Sequence, residues 1–117
     1  MRILSFSNDV DFGDNKINTK VILESAFSKE IRILLKQGQV MKEHKAPFPI
    51  IVHVLEGEVD FGVQGDVHAL KKGDIITLDA SVPHDLTAIR NSSIRLTLSK
   101  LDKMKRIEKV ISNSPEH

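Results

Sequence analysis

Gly38-Gln39-Val40-Met41-Lys42-Glu43-His44 and, further on, Gly73-Asp74-Ile75-Ile76-Thr77-Leu78-Asp79-Ala80-Ser81-Val82-Pro83-His84 are the two stretches that decide the fold. Each opens on a glycine and delivers a histidine, and the two histidines stand forty positions apart. Between them lie the apolar run Ile50 to Leu55, the turn Glu56-Gly57-Glu58, and glycines at 57, 65 and 73 that each follow a run of β-formers. Glu58-Val59-Asp60-Phe61-Gly62-Val63-Gln64 alternates, with Val59, Phe61 and Val63 on one face. Gly65-Asp66 turns the chain into Val67-His68-Ala69-Leu70, and Lys71-Lys72-Gly73-Asp74 turns it again. Short alternating strands separated by turn residues at this spacing specify an antiparallel sandwich or barrel. The fold class is all-β, with both imidazoles at one mouth.

Working outward, Glu30 to Lys36 alternates Ile31, Ile33 and Leu35 with Glu30, Arg32 and Leu34, which predicts a half-buried strand. Thr19 to Phe27 reads as another strand, Asn8 to Asn18 as a loop, and Ile3 to Phe6 as a short first strand. Beyond the second histidine, Asp85 to Arg90 and Ile94 to Leu98 read as strands with a turn at Asn91-Ser92. The tail changes period. Leu101, Met104, Ile107 and Ile111 recur at near-helical spacing among Lys and Arg, predicting a short amphipathic C-terminal α-helix that ends before Pro115. The expected organisation is one barrel domain over residues 1–99, with its motif core at 38–84, followed by a helix and tail at 100–117.

Composition narrows the partners. The chain has 117 residues, enough for one core, with 40% hydrophobic and 28% charged residues. A net charge of +1 supplies no field for nucleic acid or an anionic membrane. With no Trp or Tyr and five Phe, base-stacking platforms are poorly provided for. The absence of cysteine excludes disulfides, thiolate metal sites and cysteine nucleophiles, and suits a reducing cytoplasm. No apolar run approaches the roughly 20 residues that a bilayer requires. The expectation is a cytoplasmic protein with neither nucleic acid nor membrane as partner.

Over roughly residues 28–99 the chain resembles the cupin superfamily, in particular the small single-domain bacterial cupins of the conserved-barrel type. Gly38, His44 and Gly57 fall at the matching places of the first cupin motif, and Gly73 and His84 at those of the second. The resemblance implies a cupin-type double-stranded β-helix, the jelly-roll barrel. In metal-binding cupins three histidines and one glutamate converge on a divalent cation. Here the second histidine position holds Ala46 and the glutamate position holds Ile50, while Asp79 and Ser81 replace the Pro and Gly of the second motif.

Two imidazoles without an anionic ligand leave a divalent transition metal short of the three or more protein ligands it usually needs. His44 and His84 are therefore weak metal candidates, and no catalytic residue or cofactor is assigned. The favoured expectation is a binding protein that takes a small polar molecule in a pocket lined by His44, Ala46, Ile50 and His84. The alternative is an oxygenase- or isomerase-type enzyme, metal-assisted or metal-free, using His44 and His84 for acid–base chemistry near neutral pH. His53 shares a face with Ile51 and Leu55, and His68, near a hairpin, is expected to be exposed. Glu43 is expected on the face opposite His44, and Arg32 and Arg95 to pair across strands. Leu34, Ile51, His53 and Leu55 form an apolar row opposite the barrel interior, which predicts a homodimer.

Overall fold

Period-two alternation decides which side of each strand faces inward, and the computed structural model shows the result for residues 1–100, the residues it describes. The C-terminal helix and tail expected at 100–117 lie, apart from Lys100, outside them. The described residues form nine strands: β1 (Asn18–Glu24), β2 (Ser28–Leu35), β3 (Val40–His44), β4 (Ile50–Glu56), β5 (Glu58–Val63), β6 (Asp66–Lys71), β7 (Ile75–Leu78), β8 (His84–Ala88) and β9 (Ser92–Ser99). They build a five-stranded sheet ordered β1-β2-β9-β4-β7 and a four-stranded sheet ordered β3-β8-β5-β6, with every pairing antiparallel. This is the antiparallel two-sheet architecture that the turn spacing implied, arranged as the jelly roll that the cupin resemblance implied. No helix among the described residues is long and apolar enough to cross a membrane.

The core lies between the sheets. Ile33 and Leu35 from β2, Ile50, Val52 and Val54 from β4, and Ile94 from β9 meet Val59 and Phe61 from β5, Leu70 from β6, and Leu86 and Ala88 from β8. Turn chemistry sets the registers. Gln64 and Gly65 both have positive φ, 52° and 85°, and join Val63 to Asp66 in a two-residue hairpin whose twist matches that of the strands. Gly57, at φ 91°, passes so close to Ser92 and the Asn91 carbonyl that a Cβ there would collide with both.

Two expectations on the outer face of the larger sheet need correction. Ile3–Phe6 forms no strand. The segment that follows is bent, and its carbonyls are taken by a side chain: Arg32 donates to the carbonyls of Phe6 (3.2 Å), Asn8 (2.6 Å) and Asp9 (3.1 Å). This strap also covers the outward face of β2. The strand predicted to be half-buried is buried on both faces, with Glu30, Arg32 and Leu34 as inaccessible as the core side. Leu34, placed by the sequence in an exposed apolar row, is 1% exposed.

Candidate functional site

The site begins with a strand pairing. β3 and β8 are neighbours, and a register shift between Met41 and His44 brings the last residue of β3, His44, directly opposite the first residue of β8, His84. The ring centroids are 4.4 Å apart and the planes are inclined at 60°. His84 is 5% exposed and lies nearly parallel to Phe61, at 5.5 Å and 14°, whereas His44 is exposed. One imidazole is therefore part of the packed interior and the other its solvent-facing neighbour.

The same local device orients both rings. His44 Nδ1 lies 2.8 Å from the carbonyl of Lys42, and His84 Nδ1 lies 2.9 Å from that of Val82. A carbonyl oxygen only accepts, so each Nδ1 carries the hydrogen and each neutral ring keeps its lone pair on Nε2. The backbone thus selects the same tautomer twice and leaves two Nε2 atoms as the site's hydrogen-bonding groups. Beneath the pair is a cavity of about 20 Å³, lined by Ile33, Met41, Val52, Phe61, Leu86, Ile94 and Leu96 together with the two histidines. That volume holds about one water. Among the described residues the space directly under the pair is no larger than this, so a ligand would meet the pair from outside.

The other two residues expected in the pocket wall sit elsewhere. Ile50 is buried in the core between Leu98 and Leu78 on the neighbouring strands. Ala46 packs partly buried against the core, and its carbonyl accepts from Ser81 N at 2.7 Å, tying the two motif loops together. Neither lines the cavity under the histidines. Ser81, which stands at the glycine position of the second motif, has a φ of 64°.

Among the described residues no group of three or more His, Asp or Glu side chains is placed to hold a metal. Glu43 lines a groove with Gly62, Asp66 and Asp85 on the outer side of the smaller sheet, the face opposite His44.

Sequence reasoning missed one inward residue. His68 is exposed, as expected, but it pairs with Phe61 across β5 and β6 and lines the space between the sheets. The signal was present: His68 is two residues from Leu70, a core residue, and alternation puts both on one face. Arg95 on β9 does pair across strands, with Glu30 on β2, whereas Arg32, which stands opposite Arg95 in register, is instead bonded to the strap carbonyls. Arg95 Nε donates to Glu30 at 2.9 Å and its guanidinium lies 5.3 Å from the Phe6 ring. Glu30 also accepts from Ser28 Oγ at 2.6 Å and from Thr97 Oγ1. Burial raises the Glu30 pKa, but hydrogen bonds from Ser28, Thr97 and Arg95 and the Arg95 charge outweigh it, holding the carboxyl below its ordinary value.

Comparisons with known proteins agree with this architecture. Residues 31–99 match the family described as Cupin domain. An RmlC-like cupin protein from Desulfovibrio desulfuricans is similar at 24% identity and a TM-score of 0.77, over 85% of this chain and 96% of that one. A conserved protein of unknown function from Streptococcus pyogenes is similar at 19% identity and a TM-score of 0.72, over 85% and 87%. A Cupin 2 conserved barrel domain protein from Leptotrichia buccalis reaches 29% identity and a TM-score of 0.70 over 78% of this chain, which spans 44% of that longer one. No curated protein sequence matches. With the family match covering more than half of the chain and the jelly roll in place around two motif histidines, the chain belongs to the cupin domain family.

Proposed function

We propose that this cupin binds a small polar molecule at the barrel mouth through Nε2 of His44 and His84. The observation that carries the reading is the in-register contact of the two rings, with both Nδ1 atoms committed to backbone carbonyls. Two adjacent lone pairs accept hydrogen bonds from hydroxyl or amine groups, and after protonation the same atoms donate to a carboxylate. Small hydroxy acids carry both kinds of group and are the natural first probes.

Titration of uniformly labelled protein with a panel of small hydroxy acids, followed through the imidazole nitrogen resonances, tests this. Binding that shifts both Nε2 signals and weakens at least tenfold in His44→Ala supports it. Unperturbed rings, or binding indifferent to His44→Ala, would sink it. Turnover of a panel member would favour the enzymatic alternative, for which the unequal exposure of the two imidazoles is the supporting observation. Elemental analysis of protein purified without an affinity tag separates the metal-assisted form: stoichiometric Fe, Mn, Ni or Zn would support it.

The chain is also proposed to form a homodimer, through the part of the larger sheet's outer face that the N-terminal strap leaves open. Ile51 on β4 is 37% exposed and Ile75 on β7 is 60% exposed, and they flank His53. Light scattering at micromolar concentration should return about twice the 13.1 kDa chain mass; the monomer mass would rule the dimer out.

A further inference from the structure

Among the described residues, an apolar space that the proposed function does not use lies on the far side of Phe61 from the two histidines. β6 and β7 follow each other in sequence but end different sheets, so the sheets part along this edge. The connecting turn is tied down, with Gly73 N donating to the Val54 carbonyl at 2.8 Å and Val54 N donating to the Asp74 carbonyl at 2.9 Å. Beside it lies a cavity of about 260 Å³ walled by Phe61, Val63, Leu70, Ile76 and Leu78. A dry cavity of about 150 Å³ lined by such residues accepts benzene. The space is therefore large enough for one ring and a substituent.

Its polar content is specific. Thr77 reaches the lining, but its hydroxyl donates to the Ile50 carbonyl at 3.0 Å and is spent. His68 faces inward opposite Phe61, and its imidazole has no hydrogen-bond partner among the described residues. One open imidazole at the rim of an apolar well can satisfy one polar group, while an ion lodged deeper in the well would lose its hydration uncompensated.

We propose that this cavity is a second binding site, for a small monocyclic aromatic molecule carrying one hydrogen-bonding group, with His68 meeting that group. The ring packs against Phe61 and the aliphatic wall, and its substituent points to the open edge. The site shares no polar residue with the His44–His84 mouth, so the two stand or fall separately.

The test uses the full chain with labelled Ile, Leu and Val methyl groups, phenol as probe and benzene as control. Phenol should shift the methyl signals of Val63, Leu70, Ile76 and Leu78 saturably. His68→Ala should weaken phenol roughly five- to tenfold, the value of one hydrogen bond, while leaving benzene unchanged. Ile76→Phe should abolish both by filling the well. His44→Ala should alter neither. The proposal is overturned if these methyls do not respond to phenol, or if His68→Ala weakens phenol and benzene alike. It is also overturned if contacts from residues 101–117 to Ile76 in the free protein show the cavity already occupied. If Ile76→Phe does not fold, the comparison of phenol with benzene in His68→Ala still decides.

Discussion

His84 stacks on Phe61 from inside the barrel while His44, its in-register partner 4.4 Å away, stands in solvent. The two rings share a tautomer and a backbone device but not an environment, and their substitutions should separate cleanly. His84→Ala removes a buried ring and should cost roughly 2 kcal/mol, whereas His44→Ala should stay within about 0.5 kcal/mol of the parent. Urea unfolding followed by circular dichroism measures both. Equal costs would mean that the rings are packed alike.

Glu30 makes stability depend on acid. Its folded pKa is lowered, so the stabilisation it contributes is fully present above its unfolded pKa, about 4.3, and is lost as pH falls through the lower folded value. Unfolding free energy should therefore decline below about pH 4.3. Glu30→Gln should flatten part of that decline and cost about 2 kcal/mol at neutral pH, since the bonds from Ser28, Thr97 and Arg95 lose their charged acceptor. Denaturation at a series of pH values reads the difference in slope.

The strap and Arg32 should behave as one unit. The guanidinium is buried, and three of its hydrogen bonds go to carbonyls between Phe6 and Asp9. Among the described residues its Nε is the buried side-chain polar atom left without a partner. Removing residues 1–9 should cost about 2–3 kcal/mol in the parent, because it strips partners from a buried charge. In an Arg32→Met background the same truncation should cost at least about 1 kcal/mol less. Additive costs in the double-mutant cycle would show that the strap contributes independently of Arg32.

Gly57 is the least replaceable turn residue. It combines φ 91° with backbone and side-chain atoms of Asn91 and Ser92 where a Cβ would sit. The buried Ser92 hydroxyl meanwhile accepts from Glu58 N and has the Arg90 carbonyl at 2.8 Å, and the Glu58 carbonyl at 3.2 Å, as acceptors for its single hydrogen. Gly57→Ala should cost roughly 2–4 kcal/mol from backbone strain and overpacking together. Gly65→Ala, at φ 85° with open space around it, should cost only about 1–2 kcal/mol. Thermal melts of the two variants give the comparison.

Much of this protein was legible in its residues, because alternation and turn chemistry are local. Val59, Phe61 and Val63 on one face, glycines at the turns, and a histidine at the end of each stretch were enough for an all-β barrel with both imidazoles at one mouth, and the motif resemblance added the cupin type. The sequence also showed that Ala46 and Ile50 cannot ligate a metal. What the linear chain could not contain was register between distant strands. Only the β3–β8 pairing brings His44 and His84 into contact, and only the folded interior shows that the space beneath them is nearly filled while room remains beyond Phe61. Ile3–Phe6 looked like a strand because its side chains alternate. The tertiary structure decided otherwise, since a buried Arg32 claims the carbonyls of Phe6, Asn8 and Asp9 and folds the segment over β2. Side-chain periodicity determines which face a residue prefers; what covers that face is settled by segments far away in sequence.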